Sequence, residues 1–140
     1  MSILSGIIIS FDFGLKRIGT AIGQAVTKTA RPLSVLPAKA GVPNWGSVDQ
    51  LIAAWSPAML IVGVPLNMDG TAQPMTNHAK QFAAALRERY ALPVEEVDER
   101  LTTKAAREHL FAEGGYAALQ GGQVDCMAAT LMLESWFRER

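Results

Sequence analysis

The stretch Ile7 to Gly23, I-I-I-S-F-D-F-G-L-K-R-I-G-T-A-I-G, decides the fold. An apolar run, Ile7-Ile8-Ile9, leads to Asp12, and Gly14 follows two residues later. A second β-prone run, Ile18 to Ile22, then heads back. This pattern predicts a hairpin of two strands with an acid where the first strand runs out. A carboxylate there is poorly solvated on its strand side and calls for a cation, a donor or a proton.

Downstream of the hairpin, Ala30 to Pro37 is bounded by prolines, which predicts a third, edge-type strand. Asn44 is placed to cap a helix whose Val48, Leu51, Ile52 and Trp55 share one face, with Pro57 stopping it. Met59 to Val64 is continuously apolar, as expected of a strand covered on both faces. A D-G turn at Asp69-Gly70 precedes a helix from about Met75 to Tyr90 that buries Ala79, Phe82, Ala83 and Leu86. Pro93 to Val97 is a short strand running into Asp98-Glu99-Arg100. Thr102 or Thr103 is expected to cap a helix ending at Gly114-Gly115, followed by a glycine-rich loop. Val124 to Arg140 closes the chain as an amphipathic helix, with Val124, Met127, Ala128, Leu131 and Met132 expected to face inward.

The order β-β-β-α-β-α-β-α-α implies an α/β domain with a mixed five-stranded sheet. Its first three strands form an antiparallel meander, its later strands run parallel to the first, and helices cover both faces. The carboxyl ends of the first, fourth and fifth strands share one edge, where ligand crevices form in open α/β sheets. At 140 residues the expectation is a single domain, residues 1–140, able to bury its own core.

Thirteen basic residues balance thirteen acidic ones, so overall charge gives no argument for nucleic-acid binding, although a local basic face remains open. A single cysteine, Cys126, excludes an internal disulfide framework and a cysteine-based zinc site. The first residues lack a charged, cleavable leader, and their apolar run is too short to span a bilayer. The expectation is a cytoplasmic enzyme or binding module with no membrane association.

Four acids fall at the shared edge: Asp12 at the end of the first strand, Asp98 and Glu99 at the end of the fifth, and Asp125 in the first turn of the last helix. Asp98 and Glu99 are neighbours on a strand, so only one of them can join Asp12. Three crowded carboxylates cannot all stay ionised without compensation. A hard divalent cation, Mg²⁺ or Mn²⁺, is the usual compensation and also accepts phosphate oxygens. Each acid has a plainer reading too: a turn former at Asp12, a helix-dipole partner at Asp125, a solvated charge at Glu99.

F-D-F-G-L-K-R-I-G-T-A-I-G, V-G-V-P-L-N-M-D-G-T, D-E-R-L-T-T-K-A-A and G-G-Q-V-D-C-M-A-A resemble, in order and over nearly the whole chain, the successive motifs of the YqgF (RuvX) family. The resemblance implies an RNase H-like fold and a Mg²⁺-dependent nuclease. The family is described as processing the 5′ end of pre-16S ribosomal RNA and also as resolving Holliday junctions. Its acids carry over as Asp12, Glu99 and Asp125, which would act as both metal ligands and catalytic residues. One departure stands out: the family often has a lysine two residues before the last acid, and this chain has Gln123. A phosphate contact is therefore weaker here or supplied elsewhere.

Lys16 and Arg17, in the first hairpin turn, are candidate phosphate contacts, with a solvated-turn role as the alternative. Arg100 offers a bidentate phosphate contact or a partner for Asp98. Asn67 is a candidate for orienting substrate or a metal-bound water, whereas Asp69 shapes its turn. Lys104 and Arg107 are read as a solvated face, and His78 and His109 are assigned no chemistry. Trp45, Trp55 and Trp136 fit packing, and Cys126 fits as buried filler.

Two other functions compete with nucleic-acid cleavage. D-F-G-L-K-R-I-G resembles the first phosphate loop of the actin and sugar-kinase superfamily, but such ATP-binding enzymes clamp nucleotide between two lobes. A non-enzymatic module of ribosome assembly or transcription would bind nucleic acid without regard to Mg²⁺. A junction resolvase would further need a two-fold homodimer.

Overall fold

The hairpin forms as its sequence predicts. In a computed structural model, which describes residues 6–67, 69–98 and 123–139, β1 (Ile7–Asp12) pairs antiparallel with β2 (Arg17–Gln24), and β2 with β3 (Thr29–Lys39). A two-residue strand, β4 (Val42–Pro43), follows, and then α1 (Trp45–Trp55). Strand β5 (Met59–Val64), α2 (Pro74–Tyr90) and β6 (Val94–Asp98) come next, and α3 (Gln123–Arg138) is the last described element. The sheet runs β4-β3-β2-β1-β5-β6, with β5 parallel to β1 and β6 parallel to β5.

The apolar strands β1 and β5 are covered on both sides. On one face Ile9, Phe11, Leu60 and Val62 pack with Val48 of α1 and with Phe82 and Leu86 of α2. On the other, Ile8 and Ile61 pack with Met132, Leu133, Trp136 and Phe137 of α3. Double burial explains why these strands lack polar alternation. All three tryptophans join these clusters, in keeping with a packing role.

The cap at Asn44 forms as expected: Ser47 N–H donates to Asn44 Oδ1 at 3.3 Å. Helix α1 ends at Ser56, whose left-handed backbone lets its N–H reach the Ile52 carbonyl just before Pro57.

Three expectations need correction. The sheet has six strands rather than five, because Gly41 turns the chain back and β4 pairs with Ala38 and Lys39. The third strand is longer than Ala30–Pro37, because its prolines do not end it. Gly19 pairs with Val35 but Ala21 pairs with Pro32, so the register slips there. Thr20 fills the irregularity: its hydroxyl donates to the Ser34 carbonyl and accepts from Ser34 N–H at 3.0 Å. The third correction concerns α3, where Met127 and Leu131 are only half-buried while Ala129, Leu133, Trp136 and Phe137 are buried. This helix is apolar almost all round, so its sequence does not single out one face. The helix and loop expected around residues 102–122 lie outside the described residues.

Helices α1 and α2 are joined by a charged clamp. Arg89 donates from Nε and Nη2 to the two carboxylate oxygens of Asp49, each at 2.8 Å, and Tyr90 donates its hydroxyl to the same Asp49. The guanidinium also lies 5.0 Å from the Trp45 ring centroid. Hydrogen bonds from Arg89, then from Tyr90, hold Asp49 at about 2. Burial, reinforced by the bond to Asp49, pushes Tyr90 up to about 12. The Asp49 contribution to stability is complete above its ordinary 3.8 and is lost as pH falls through about 2. The Tyr90 contribution is complete below 10.0 and is lost as pH rises through about 12. Asp49→Asn is expected to move the Tyr90 titration down toward 10.0, followed by phenolate absorbance with Tyr116→Phe in both proteins so that one phenol titrates. An unmoved curve would show that the Asp49 bond does not hold the phenol.

Candidate active site

The sequence F-D-F fixes which way the first acid points. Phe11 and Phe13 both bury against Phe82 of α2, with ring centroids 5.4 Å apart in each pair. Strand alternation then turns Asp12 to the opposite face, the one that α3 covers. Ser10 confirms the parity, since its hydroxyl donates to the Ala129 carbonyl of α3 at 2.8 Å. Asp12 is 6% exposed.

Across the hairpin, Asp12 is paired with Gly19. A Cβ built at Gly19 would stand 2.6 Å from Asp125 Cβ and closer still to the Asp125 carbonyl group. The first turn of α3 therefore lies directly on the β2 backbone beside Asp12. Further along the same face, a Cβ at Gly23 would come within 2.8 Å of both Leu133 and Phe137. Gly19, Ala21 and Gly23 thus form a track of minimal side chains on which α3 lies. The track brings the backbone of Asp125 to the strand-end edge that holds Asp12, so two of the three expected acids come together.

Arg17 completes the described site. Its Nε lies 3.5 Å from Asp125 Oδ2, with the two side chains 55% and 28% exposed. Lys16 precedes it in a turn held by backbone bonds to the next one: Ala38 N–H donates to the Lys16 carbonyl at 2.9 Å, and Gly41 N–H to the Leu15 carbonyl at 3.0 Å. Both basic side chains are exposed. They sit on a fixed turn.

At the end of β6, alternation groups Asp98 with Val94 and Glu96 on the α2 face. Glu96 pairs there with Lys80 and Arg87, at 3.8 and 3.3 Å. Glu95 points the other way and accepts from Trp136 Nε1 at 2.8 Å. Asp98 is therefore not the acid that shares the face of Asp12. Glu99 and Arg100 lie outside the described residues, as do Lys104, Arg107 and His109. Gln123 begins α3. Among the described residues no group of three potential metal ligands is formed.

Asn67 lies in a self-bonded loop. Its side-chain amide donates to Thr71 Oγ1 at 3.0 Å and to the Ala72 carbonyl at 3.2 Å. Asp69 Oδ1 accepts from Thr71 N–H and from its hydroxyl, which is the turn-shaping role expected of it. Cys126 is buried, and burial pushes its thiol up, away from the reactive thiolate. The residue that sequence reasoning missed is Gly19; its signal was the spacing of small residues in G-T-A-I-G.

Against known proteins, the family model described as "RuvX: Holliday junction resolvase" matches residues 6–139. This chain belongs to the RuvX family. Two relatives carry the name "Putative pre-16S rRNA nuclease". The one from Glaesserella parasuis serovar 5 is 50% identical over 137 residues, covering 98% of this chain and 99% of the relative. The one from Photorhabdus laumondii is 52% identical over 133 residues, covering 95% and 96%. Two solved structures share the fold of this RuvX chain, which is the RNase H-like fold of RuvC-type resolvases. Thermus thermophilus RuvC in complex with Holliday junction substrate matches with a TM-score of 0.57 at 17% identity, covering 96% of this chain and 94% of the other. Fowlpox virus resolvase with Holliday junction DNA matches with a TM-score of 0.57 at 15% identity, covering 95% and 97%. No helix among the described residues is long and apolar enough to cross a membrane.

Proposed function

We propose that this RuvX protein is a metal-dependent endonuclease that hydrolyses phosphodiester bonds in structured nucleic acid, with the 5′ end of pre-16S ribosomal RNA as its substrate. The observation that carries the reading is the packing of the α3 first turn on Gly19, which sets Asp125 beside Asp12 at the carboxyl end of β1. The donor set suits a hard divalent cation: carboxylate oxygens from two rigid elements, one nearly buried and one partly exposed. Glu99 is the third acid of this reading, because alternation assigns Asp98 to the other face. Mg²⁺ or Mn²⁺ bound there would supply Lewis acidity and offset charge on the phosphoryl oxygens as water attacks in line.

The chain's own residues do the rest. Asp12, anchored by the two flanking phenylalanines, offers a carboxylate that does not have to be ordered on binding. Lys16 and Arg17 neutralise phosphate charge from the fixed turn, and Arg100 extends that contact. Asn67 adds a substrate contact through its remaining carbonyl oxygen.

A cleavage panel tests the proposal: precursor ribosomal RNA, single strands and four-way DNA junctions, each with Mg²⁺, Mn²⁺ or chelator. Precursor RNA cleaved near its 16S 5′ end only with a divalent ion is the expected result. Cleavage that persists in chelator would sink the metal mechanism. Cleavage confined to junctions would favour the second reading, resolution of Holliday junctions, which the family description supports. That activity needs paired cuts, and so a homodimer visible by light scattering.

A further inference from the structure

We propose that Arg17 is a placeholder cation that holds Asp125 until a divalent ion displaces it, and that the released guanidinium then grips the substrate phosphate. This inference rests on the reading of Asp125 as a cation ligand. The contact has the character of a holding pair. At 3.5 Å it is longer than a strong charge-assisted hydrogen bond, it uses Nε, and Arg17 is more than half exposed. The backbone at Arg17 is fixed by its β2 pairings with β3, so its side chain pivots from one anchored point. A guanidinium pivoting there reaches either the carboxylate or a phosphate lying against it, and its planar fork suits phosphate. Lys16 is the adjacent exposed cation, so Lys16→Ala controls for the loss of a neighbouring positive charge.

Competition of this kind links the two ligands. If the metal frees Arg17 for phosphate, then metal and nucleic acid each strengthen the other's binding. Mn²⁺ affinity, measured by electron paramagnetic resonance without nucleic acid, is expected to rise about 1.5- to 5-fold in Arg17→Ala, the range of an exposed ion pair. It should rise less in Lys16→Ala and stay near wild type in Arg17→Lys, which keeps the charge. In the second measurement, anisotropy of a labelled phosphorothioate RNA should show a larger Mn²⁺-induced gain in affinity for wild type and Lys16→Ala than for Arg17→Ala. Equal Mn²⁺ affinity in Arg17→Ala and Lys16→Ala, or an undiminished gain in Arg17→Ala, would overturn the proposal while leaving the nuclease reading intact. Wild type and Asp125→Asn binding Mn²⁺ equally well would remove Asp125 as a ligand, and both ideas would fall together.

Discussion

Asp12→Asn is expected to lower divalent-dependent cleavage by about two to three orders of magnitude, the usual cost of removing one preorganised electrostatic group from an active site. The substitution keeps the shape of the side chain and deletes its charge. Asp12 is 6% exposed at the end of β1, with its strand held by pairing to β2 on one side and β5 on the other. The amide therefore sits in the same place, and the far-ultraviolet circular dichroism should match wild type. What is lost is the less exposed of the two described carboxylates, the one with least room to be replaced by a neighbouring group. Single-turnover cleavage in Mg²⁺ decides the matter. A pure Asp12→Asn preparation cutting within a few-fold of wild type would take this carboxylate out of the mechanism.

Gly19→Ala is expected to be the most damaging change of a single methyl group in the described structure. The new Cβ would meet backbone and Cβ of Asp125 rather than a flexible side-chain tip, so no rotamer change relieves it. Helix α3 must lift from β2 or the strand must bend. Overpacking of this kind costs about 1–3 kcal/mol, which for a domain of this size corresponds to a midpoint lower by about 3–10 °C. Catalysis should fall further than stability does, because the displaced turn carries Asp125. Differential scanning calorimetry together with Mn²⁺ binding checks both parts. An unchanged midpoint with unchanged Mn²⁺ affinity would mean that α3 does not ride on Gly19.

Much of this was legible in the residues because local and global signals agree. Met59–Val64 reads as a doubly covered strand and forms with those bounds. Asn44 caps where its side chain predicts. Asp12 falls at a strand end, and the phenylalanines on either side decide its face. Elsewhere the pattern carried too little information. Helix α3 is apolar on most of its surface, so its buried face is set by where the small residues of β2, Gly19, Ala21 and Gly23, let it approach, a property of the partner strand. The prolines of β3 marked a boundary that a register slip removes, and Thr20 is what makes the slip tolerable. The two-residue strand β4 is shorter than any periodicity can reveal. The pairing of Arg17 with Asp125 could not be anticipated, since it depends on where a distant helix comes to rest.

The glycine track has a consequence for the birth of the protein. The contact between Ser10 and Ala129 spans 119 positions, and the acid pair beside it spans a similar interval. A nascent chain still lacking α3 would own the first carboxylate and the basic turn without the helix that packs on Gly19. On the proposed assignment of Asp125, phosphodiester chemistry would begin only after α3 has left the exit tunnel and docked.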